Sequence, residues 1–341
     1  MIELSIIIPV YNEINYLDLF SKRLISSFEK IKTEYIFIND GSNDGSEEWL
    51  KTFCENNKKS NCKLINIRNN TGKGNAIHCG IKIASGKYIL FQDADLELDT
   101  NDSREMYSII NENNNIECIF GSRYLSGKLK KNDNYLNEFI GKFNSLIFNL
   151  LFSQSLSDLH CGTKIISKRV LSTLNLTIKD FGFEIDVASQ IAKKKYDIYE
   201  YGISFFSRTR IQGKKITWVD GIQSYYYLFK TRFLQNDSST TISLIYSICY
   251  MFYLGSQFGA NLLQYFSVSL FVIFGAFIGL HRKILSSTLV FVLSYLGIFV
   301  YDGVGKIFIF TILFISSLYI SGKLSKIIKK YYKNKYINFL F

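Results

Sequence analysis

Residues 88–97 read Tyr-Ile-Leu-Phe-Gln-Asp-Ala-Asp-Leu-Glu, an apolar run that ends in two carboxylates two positions apart. The apolar part predicts a buried strand over residues 88–92. Asp93 and Asp95 would then follow the carboxyl end of that strand. Ligands of open α/β sheets bind beyond the carboxyl ends of the strands, so this stretch predicts both a sheet and the position of a site.

The same pattern extends outward through the first 200 residues. Further strands are predicted at 4–9, 35–39, 63–67 and 116–121, and helices at 14–31 and 73–84. Another helix is predicted to end at Phe53, with either Asp44 or Ser46 as its cap. This alternation of strand and helix predicts an α/β fold with a mainly parallel sheet and helices on both of its faces.

Polar segments follow the predicted strands, at 9–13, 39–46, 70–75, 93–97 and 121–124. Each one alone could be turn chemistry, because turns use Gly, Asn, Asp and Ser. Together they would lie on one rim of one sheet. Their coincidence there favours a ligand site.

Asp93 and Asp95 support the sharpest chemical prediction. Two carboxylates this close repel each other and raise each other's pKa. A hard divalent cation removes that cost and can bridge diphosphate oxygens as well. We therefore predict Mg²⁺ or Mn²⁺ on Asp93 and Asp95, with Glu97 as a candidate third ligand. The alternative is that the pair caps a helix over residues 100–113.

Two other rim residues suit a nucleotide sugar. Asp40 precedes Gly41, and its carboxylate could accept hydrogen bonds from a ribose or a base; the alternative is an Asx-turn. Lys73 stands between Gly72 and Gly74 and could approach a phosphate closely. The patterns GxxxxGK[ST] and GxGxxG are absent, which disfavours a P-loop and dinucleotide binding.

Five of these segments resemble family 2 glycosyltransferases with a GT-A fold, which is a Rossmann-like fold of nucleotide-diphospho-sugar transferases. They are 5–13 (SIIIPVYNE), 37–46 (FINDGSNDGS), 72–77 (GKGNAI), 93–96 (DADL) and 121–124 (GSRY). Three later segments resemble dolichyl-phosphate mannose synthases and related bacterial polyprenyl-phosphate glycosyltransferases: 158–164 (DLHCGTK), 181–186 (FGFEID) and 208–216 (RTRIQGKKI). The resemblance covers residues 3–232.

The resemblance implies roles by matched position. The nucleotide pocket would be lined by Pro9, Tyr11, Glu13 and Asp40, and the metal held by Asp93, Asp95 and Glu97. Arg123 would meet the acceptor phosphate, and Arg210 and Lys215 the donor diphosphate or the same anionic centre. For Arg210, a surface cation is the alternative.

Two departures weaken the acceptor assignment. Lys214 stands where the family usually has Ser, and residues 135–149 carry only Lys142 where the family tends to have several arginines. Both departures lie in segments that the resemblance assigns to anionic ligands.

The C-terminal third has the composition of a membrane domain. Residues 241–280 contain no Asp, Glu, Lys or Arg, and as one helix they would be about 60 Å long, roughly twice a bilayer core. Together with the later apolar runs they predict about four transmembrane helices, at 241–257, 262–280, 284–301 and 306–322. The alternative is that one run is buried core or lies in the interface.

The flanking charges predict an orientation. Cationic loops alternate with loops poor in charge, and a basic tail follows at 323–341, so the positive-inside rule puts the catalytic domain and the C-terminus in the cytoplasm. Residues 1–216 would form the GT-A domain. Residues 217–236 predict an interfacial amphipathic helix, with a core helix as the alternative.

Composition disfavours other classes of protein. The six cysteines show no CxxC spacing, which argues against zinc and redox motifs and suits a reducing cytosol. No signal-peptide pattern precedes the first strand. The net charge of +11 suits anionic lipid and phosphate ligands; the apolar third disfavours nucleic acid.

These patterns together predict an inverting, membrane-bound transfer of a hexose from a nucleotide diphosphate sugar to a dolichyl or undecaprenyl phosphate. One alternative is a family 2 transferase that acts on a glycan hydroxyl, with Glu184 or Asp186 as its base. The other is a non-enzymatic subunit that binds sugar nucleotides. His78 and His160 are predicted to be structural. The donor sugar, the nucleotide base and the oligomeric state stay open.

Overall fold

The computed structural model describes residues 2–57, 60–125, 127–131, 135–209, 213 and 218–234. The chain divides into two compact units, 1–231 and 232–341. The predicted spans between 241 and 322, the tail at 323–341, and both Arg210 and Lys215 lie outside the described residues. Within the described residues, the helices lack the combination of length and hydrophobicity that crossing a bilayer requires.

Strands and helices alternate through the first unit. The strands are β1 (Leu4–Val10), β2 (Thr33–Asp40), β3 (Cys62–Ile67), β4 (Tyr88–Phe91), β5 (Cys118–Ser122), β6 (Lys130–Lys131), β7 (Lys164–Ser167), β8 (Tyr199–Gly202) and β9 (Phe205–Phe206). The helices are α1 (Ile14–Phe28), α2 (Ser46–Asn56), α3 (Lys73–Ile83), α4 (Thr100–Glu112), α5 (Tyr135–Phe152), α6 (Lys168–Leu171), α7 (Phe183–Lys193) and α8 (Trp218–Phe229), with a π-helical segment at Lys230–Leu234.

The main sheet has seven strands in the order β3-β2-β1-β4-β7-β5-β8. Strands β1 to β4 are parallel, as are β5 and β8, whereas β7 runs antiparallel to both β4 and β5. The prediction of an α/β fold with a mainly parallel sheet is thus confirmed. The antiparallel β7 was not predicted, because a four-residue strand that begins with Lys164 carries no clear period.

The central strands are buried on both faces. Residues of β1 and β2 such as Ile6, Ile8 and Phe37 are fully buried, which is why these segments read as continuous apolar runs. Helix α1 covers one face of the sheet with Leu17, Phe20, Leu24 and Phe28, which recur at helical spacing. This packing fixes the strand ends, and with them the loops that carry the polar segments.

Helix α8 packs within the first unit on one side and exposes tyrosines on the other. It contacts α5 and α7, and Leu228 is buried whereas Tyr226 is 57% exposed. The segment predicted to be an interfacial helix therefore packs on one side as a core helix would, and its place at a membrane interface stays a prediction.

Candidate active site

The polar loops meet at the carboxyl ends of β1, β2 and β4, as the parallel arrangement requires. Pro9 lies within β1 and Tyr11 just after it, both partly exposed. Glu13, next along the chain, is buried. Asp93 and Asp95 follow β4. The alternative that this pair caps a helix is wrong, because Asp99 is the N-cap of α4 and accepts a hydrogen bond from the Asn101 amide.

Asp40 holds the neighbouring loop in place. Its carboxylate accepts hydrogen bonds from the backbone amide of Thr71 (2.9 Å), the Thr71 hydroxyl (2.8 Å) and the amide of Gly72 (2.9 Å). These bonds connect the end of β2 to the loop just before α3 rather than forming an Asx-turn. Asp40 thus fixes the backbone that leads to Lys73.

Lys73 bridges two carboxylates. Its Nζ lies 2.8 Å from Oδ1 of Asp93 and 2.8 Å from Oε1 of Glu184. Burial lowers the pKa of Lys73, but the two carboxylates outweigh that effect and hold the pKa well above its ordinary range. The lysine predicted to approach a phosphate is therefore a charged partner of Asp93 in this structure.

Arg208 lies among the other acidic residues of the site. Its Nη1 is 2.8 Å from Oε2 of Glu13, its Nη2 is 3.0 Å from Oδ2 of Asp95, and its Nε is 3.5 Å from Oε1 of Glu97. Arg208 was not predicted as a site residue, because Arg210 and not Arg208 matched the arginine of the family segment. A signal was present: an arginine two positions before that match.

The carboxylates of the site are crowded. Burial, followed by the charges of Asp93 and Glu97, raises the pKa of Asp95 to about 7, and Arg208 acts in the opposite direction. The predicted like-charge repulsion is therefore present. A cation placed among these groups would relieve it.

The acidic residues of the site have the ligand atoms that a divalent metal needs, but they are not arranged around a single point. Asp93, Asp95 and Glu97 supply the oxygen atoms that Mg²⁺ and Mn²⁺ prefer. Within the described part of the chain, however, no group of three or more His, Cys, Asp or Glu side chains converges on one point. Asp93 faces Lys73 instead, and Asp95 faces Arg208.

Arg123 is paired with a buried acid. Its Nε and Nη2 donate to the two oxygens of Asp158 at 2.7 and 2.8 Å. Burial acts to raise the pKa of Asp158, but Arg123 outweighs it and the pKa lies below its ordinary value. Glu200 supports the pair by accepting hydrogen bonds from the amides of Ser157 and Asp158. The cation predicted to meet the acceptor phosphate is thus held rigidly.

Glu184 and Asp186 are the candidate bases for transfer to a glycan hydroxyl, and each carboxylate is already engaged by other groups of the protein. Glu184 is 6% exposed and paired with Lys73. Asp186 is buried and accepts hydrogen bonds from the amides of Thr177 (2.7 Å) and Ile178 (3.0 Å) and from the side chain of Gln190 (2.7 Å). Asp186 therefore fixes the loop that precedes α7.

The two histidines near the motifs are structural in this arrangement. Burial lowers the pKa of His160 to about 4, although Asp158 and Glu184 act to raise it. Its Nε2 lies 3.1 Å from the side-chain nitrogen of Asn144. Burial also lowers the pKa of His78. Both shifts favour the neutral ring, and the ring of His78 packs edge-on against Phe183.

The strand order and the acidic rim together define a GT-A type nucleotide-sugar transferase. Residues 5–174 match the model of glycosyl transferase family 2. The chain therefore belongs to glycosyltransferase family 2, and it is an enzyme of that family.

Two relatives show what the chain resembles. It is 27% identical over 234 residues to a dolichyl-phosphate beta-glucosyltransferase of Dictyostelium discoideum, an alignment that covers 63% of this chain and 69% of that protein. It is 24% identical over 228 residues to the human dolichyl-phosphate beta-glucosyltransferase, with the same coverage of 63% and 69%.

The fold also matches solved structures. Glucosyl-3-phosphoglycerate synthase from Mycobacterium tuberculosis, in complex with phosphoglyceric acid, superposes with a TM-score of 0.54 at 15% identity, covering 70% of this chain and 82% of that one. The same enzyme was also solved with Mn²⁺, UDP and glucosyl-3-phosphoglycerate, and that structure gives a TM-score of 0.53 at 14% identity. Likeness at this identity establishes the fold alone.

Proposed function

We propose that this enzyme moves a hexose from a nucleotide diphosphate sugar to a polyprenyl phosphate, with inversion, at the cytoplasmic face of a membrane. One observation carries the choice of acceptor: the carboxylates that would deprotonate a hydroxyl are committed elsewhere. Glu184 is ion-paired with Lys73, and Asp186 is bonded to the backbone at Thr177 and Ile178.

A phosphate acceptor does not need a base. A sugar hydroxyl must lose a proton as it attacks, whereas a phosphate monoester has a second pKa of about 6 and is largely dianionic at neutral pH. A phosphate oxygen can then form a bond to the anomeric carbon while the bond from that carbon to the diphosphate breaks. The nucleoside diphosphate departs with the electron pair, and the configuration inverts.

The site must bring two anions together. A divalent metal bound there would neutralise charge that develops on the departing diphosphate. We propose that Asp93 and Asp95, with Glu97, hold that metal, and that Pro9, Tyr11 and Glu13 border the nucleotide. A structural neighbour was solved with both Mn²⁺ and UDP, which supports this part of the proposal. Arg123 is proposed for the acceptor phosphate, and Arg210 and Lys215 for the diphosphate.

An exposed apolar surface supports a lipid acceptor. We call it the aromatic face and define it by Tyr135 (82% exposed), Phe139 (52%), Phe143 (42%) and Leu150 (65%) of α5 together with Tyr226 (57%) of α8. The three α5 rings follow one another at helical spacing, and Phe143 contacts Tyr225. Aromatic side chains of this kind favour the boundary between water and lipid.

The test follows the sugar into the lipid. Membranes that contain the full-length protein are incubated with UDP-glucose labelled in the sugar, since the named relatives are glucosyltransferases, and with added polyprenyl phosphate. We expect the label in the organic extract. Asp95→Asn should abolish this labelling of the lipid. Asp18 is an exposed carboxylate on α1 that is paired with Lys22, and Asp18→Asn should leave the labelling unchanged.

Other outcomes would overturn the proposal. Label that stays in water as a glycan would support the hydroxyl alternative. Full lipid labelling by the Asp95→Asn variant would remove the metal-dependent mechanism. If the lipid is labelled as expected, repeating the assay with other nucleotide sugars identifies the preferred donor.

A further inference from the structure

Arg208 is the only described cation that contacts three acidic side chains of the site: Glu13, Asp95 and Glu97. Its side chain is 10% exposed, and its guanidinium lies over the ring of Tyr16 at 5.1 Å. Its backbone amide also donates to Oε1 of Glu97 at 2.9 Å. Arg208 therefore contacts the acidic side chains of the site through its main chain as well as its side chain.

The charges of the acidic side chains explain why a cation lies among them. We call Glu13, Asp93, Asp95 and Glu97 the carboxylate cluster, because the charges of the other three all act to raise the pKa of Asp95. Lys73 faces only Asp93 among them. Carboxylates that are this buried are costly unless each one is paired. An arginine suits the task, because its planar fork can meet several carboxylates at once and it stays charged at every relevant pH.

The oxygens that Arg208 holds are those that a metal would need. A hard divalent cation binds carboxylate oxygens directly, and the guanidinium contacts Oδ2 of Asp95 and Oε1 of Glu97. One carboxylate oxygen cannot bind the metal ion and the guanidinium equally strongly at the same time, since the two cations repel each other. Binding of the metal and pairing with Arg208 therefore compete.

The fit of Arg208 is itself incomplete. Its Nε is buried without a hydrogen-bond partner in the described structure, although Glu97 lies 3.5 Å away. An unsatisfied buried donor weakens a pairing. The Nε therefore makes no hydrogen bond that Arg208 would lose if a metal ion displaced its guanidinium.

We propose that Arg208 is the internal counter-ion of the carboxylate cluster, and that a divalent metal ion must displace its guanidinium from Asp95 and Glu97 in order to bind. This inference rests on the metal dependence in the proposed function. It adds that the resting enzyme is protected from charge repulsion by its own side chain, at the cost of weaker metal binding. Arg208 is a positioning residue in this scheme.

The experiment measures Mn²⁺ binding directly. Full-length protein in detergent is titrated with Mn²⁺ at mildly alkaline pH, first without nucleotide and then with saturating UDP, and free Mn²⁺ is followed by electron paramagnetic resonance. Arg208→Gln should bind Mn²⁺ about tenfold more tightly than the unchanged protein, as expected when a charge-assisted pair no longer competes. Arg208→Lys should fall between the two. Arg169→Gln removes an exposed arginine that is paired with Glu117 and should have no effect.

Thermal unfolding gives a second measurement that does not depend on turnover. Without metal, Arg208→Gln should have a lower Tm than the unchanged protein, because the acids lose their partner. Saturating Mn²⁺ should raise the Tm of this variant by more than it raises that of the unchanged protein, since binding stabilises in proportion to affinity. Arg208→Lys keeps the test valid if Arg208→Gln does not fold.

The outcomes separate this inference from the proposed function. Equal Mn²⁺ affinity in the unchanged protein and both folded variants would overturn the counter-ion role, while lipid labelling by the unchanged protein would leave the proposed function intact. Absence of Mn²⁺ binding in every protein, with and without UDP, would overturn both the metal dependence and this inference.

Discussion

A Cβ atom at position 162 would overlap Oδ2 of Asp93, so that Gly162 and Asp93 can occupy their places only because residue 162 has no side chain. The same atom would lie 3.1 Å from Nζ of Lys73. Gly162 belongs to the segment 158–164, far from Asp93 in sequence. The segment therefore contributes to the site by leaving room for the carboxylate.

Gly162→Ala should damage catalysis more than it damages folding. The added methyl group meets the end of the Asp93 side chain, which can rotate away, but the rotation moves a proposed metal ligand. A displacement of about 1 Å at a reacting centre costs on the order of a hundredfold in rate, so kcat/KM should fall by about that factor with little change in Tm. The control is Gly221→Ala in α8, where the new Cβ would find its nearest neighbour at 3.6 Å. Unchanged kcat/KM in folded Gly162→Ala would contradict the role of Gly162.

The ion pairs of Lys73 predict a rescue. Lys73→Met leaves Asp93 and Glu184 without their shared cation, and we expect a Tm lower by roughly 5 °C or more for a domain of this size. Adding Glu184→Gln removes one of the stranded charges, so the double variant should be more stable than Lys73→Met alone. If Glu184→Gln instead lowered the Tm further by its full separate effect, the two residues would not be coupled. A double-mutant cycle on the surface ion pair of Lys22 and Asp18 provides the control. Their side chains are 71% and 64% exposed, so little coupling is expected between them.

The sequence predicted the parts of the site that depend on local pattern. Strand β4 and the acids that follow it are adjacent in sequence. The end of the apolar run marks the end of the strand and the beginning of the acidic segment. The partners of those acids could not be predicted in the same way. Arg208 and Glu13 are 195 positions apart, and no period or spacing connects them. The insertion of β7 between β4 and β5, which brings the 158–164 segment to the rim, is likewise a property of the folded chain.

A carboxylate remote from the site predicts how stability depends on pH. Glu34 is 1% exposed and accepts hydrogen bonds from Lys63 (2.6 Å), from the Ser5 hydroxyl and from Ser85. Burial acts to raise the pKa of Glu34, but these partners outweigh it and lower the pKa from 4.5 to about 2. The ionised form is therefore favoured in the folded state, and its contribution is complete above about pH 4.5 and is lost as the pH falls toward 2.

Glu34→Gln should consequently lower the free energy of unfolding by roughly 2–3 kcal/mol at neutral pH. The difference in Tm between the variant and the unchanged protein should narrow steadily as the pH is lowered from about 4.5 to about 3. Glu55→Gln, at an exposed position of α2, should follow the unchanged protein throughout. A difference that stays constant over this range of pH would show that Glu34 acts by packing and not by its charge.

The aromatic face predicts a variant that separates lipid binding from chemistry. Phe139 lies between Tyr135 and Phe143, with ring centroids at 6.4 and 6.0 Å, and half of its surface is exposed. Burying a whole phenylalanine is worth about 1.5–3 kcal/mol. The exposed half of Phe139 is worth about 0.8–1.5 kcal/mol by the same measure, so removing it should weaken the encounter with lipid by roughly four- to twelvefold.

We expect Phe139→Ser to raise KM for polyprenyl phosphate in vesicles by roughly four- to twelvefold and to leave kcat nearly unchanged. With a short-chain phosphate acceptor that dissolves in water, the variant and the unchanged protein should behave alike, because that acceptor needs no lipid surface. Leu19→Ser provides the control, since Leu19 is 46% exposed on α1 and lies outside the aromatic face. An equal rise in KM for both acceptors would mean that Phe139 shapes the site itself, and an equal effect of Leu19→Ser would mean that apolar exposure anywhere on the domain suffices.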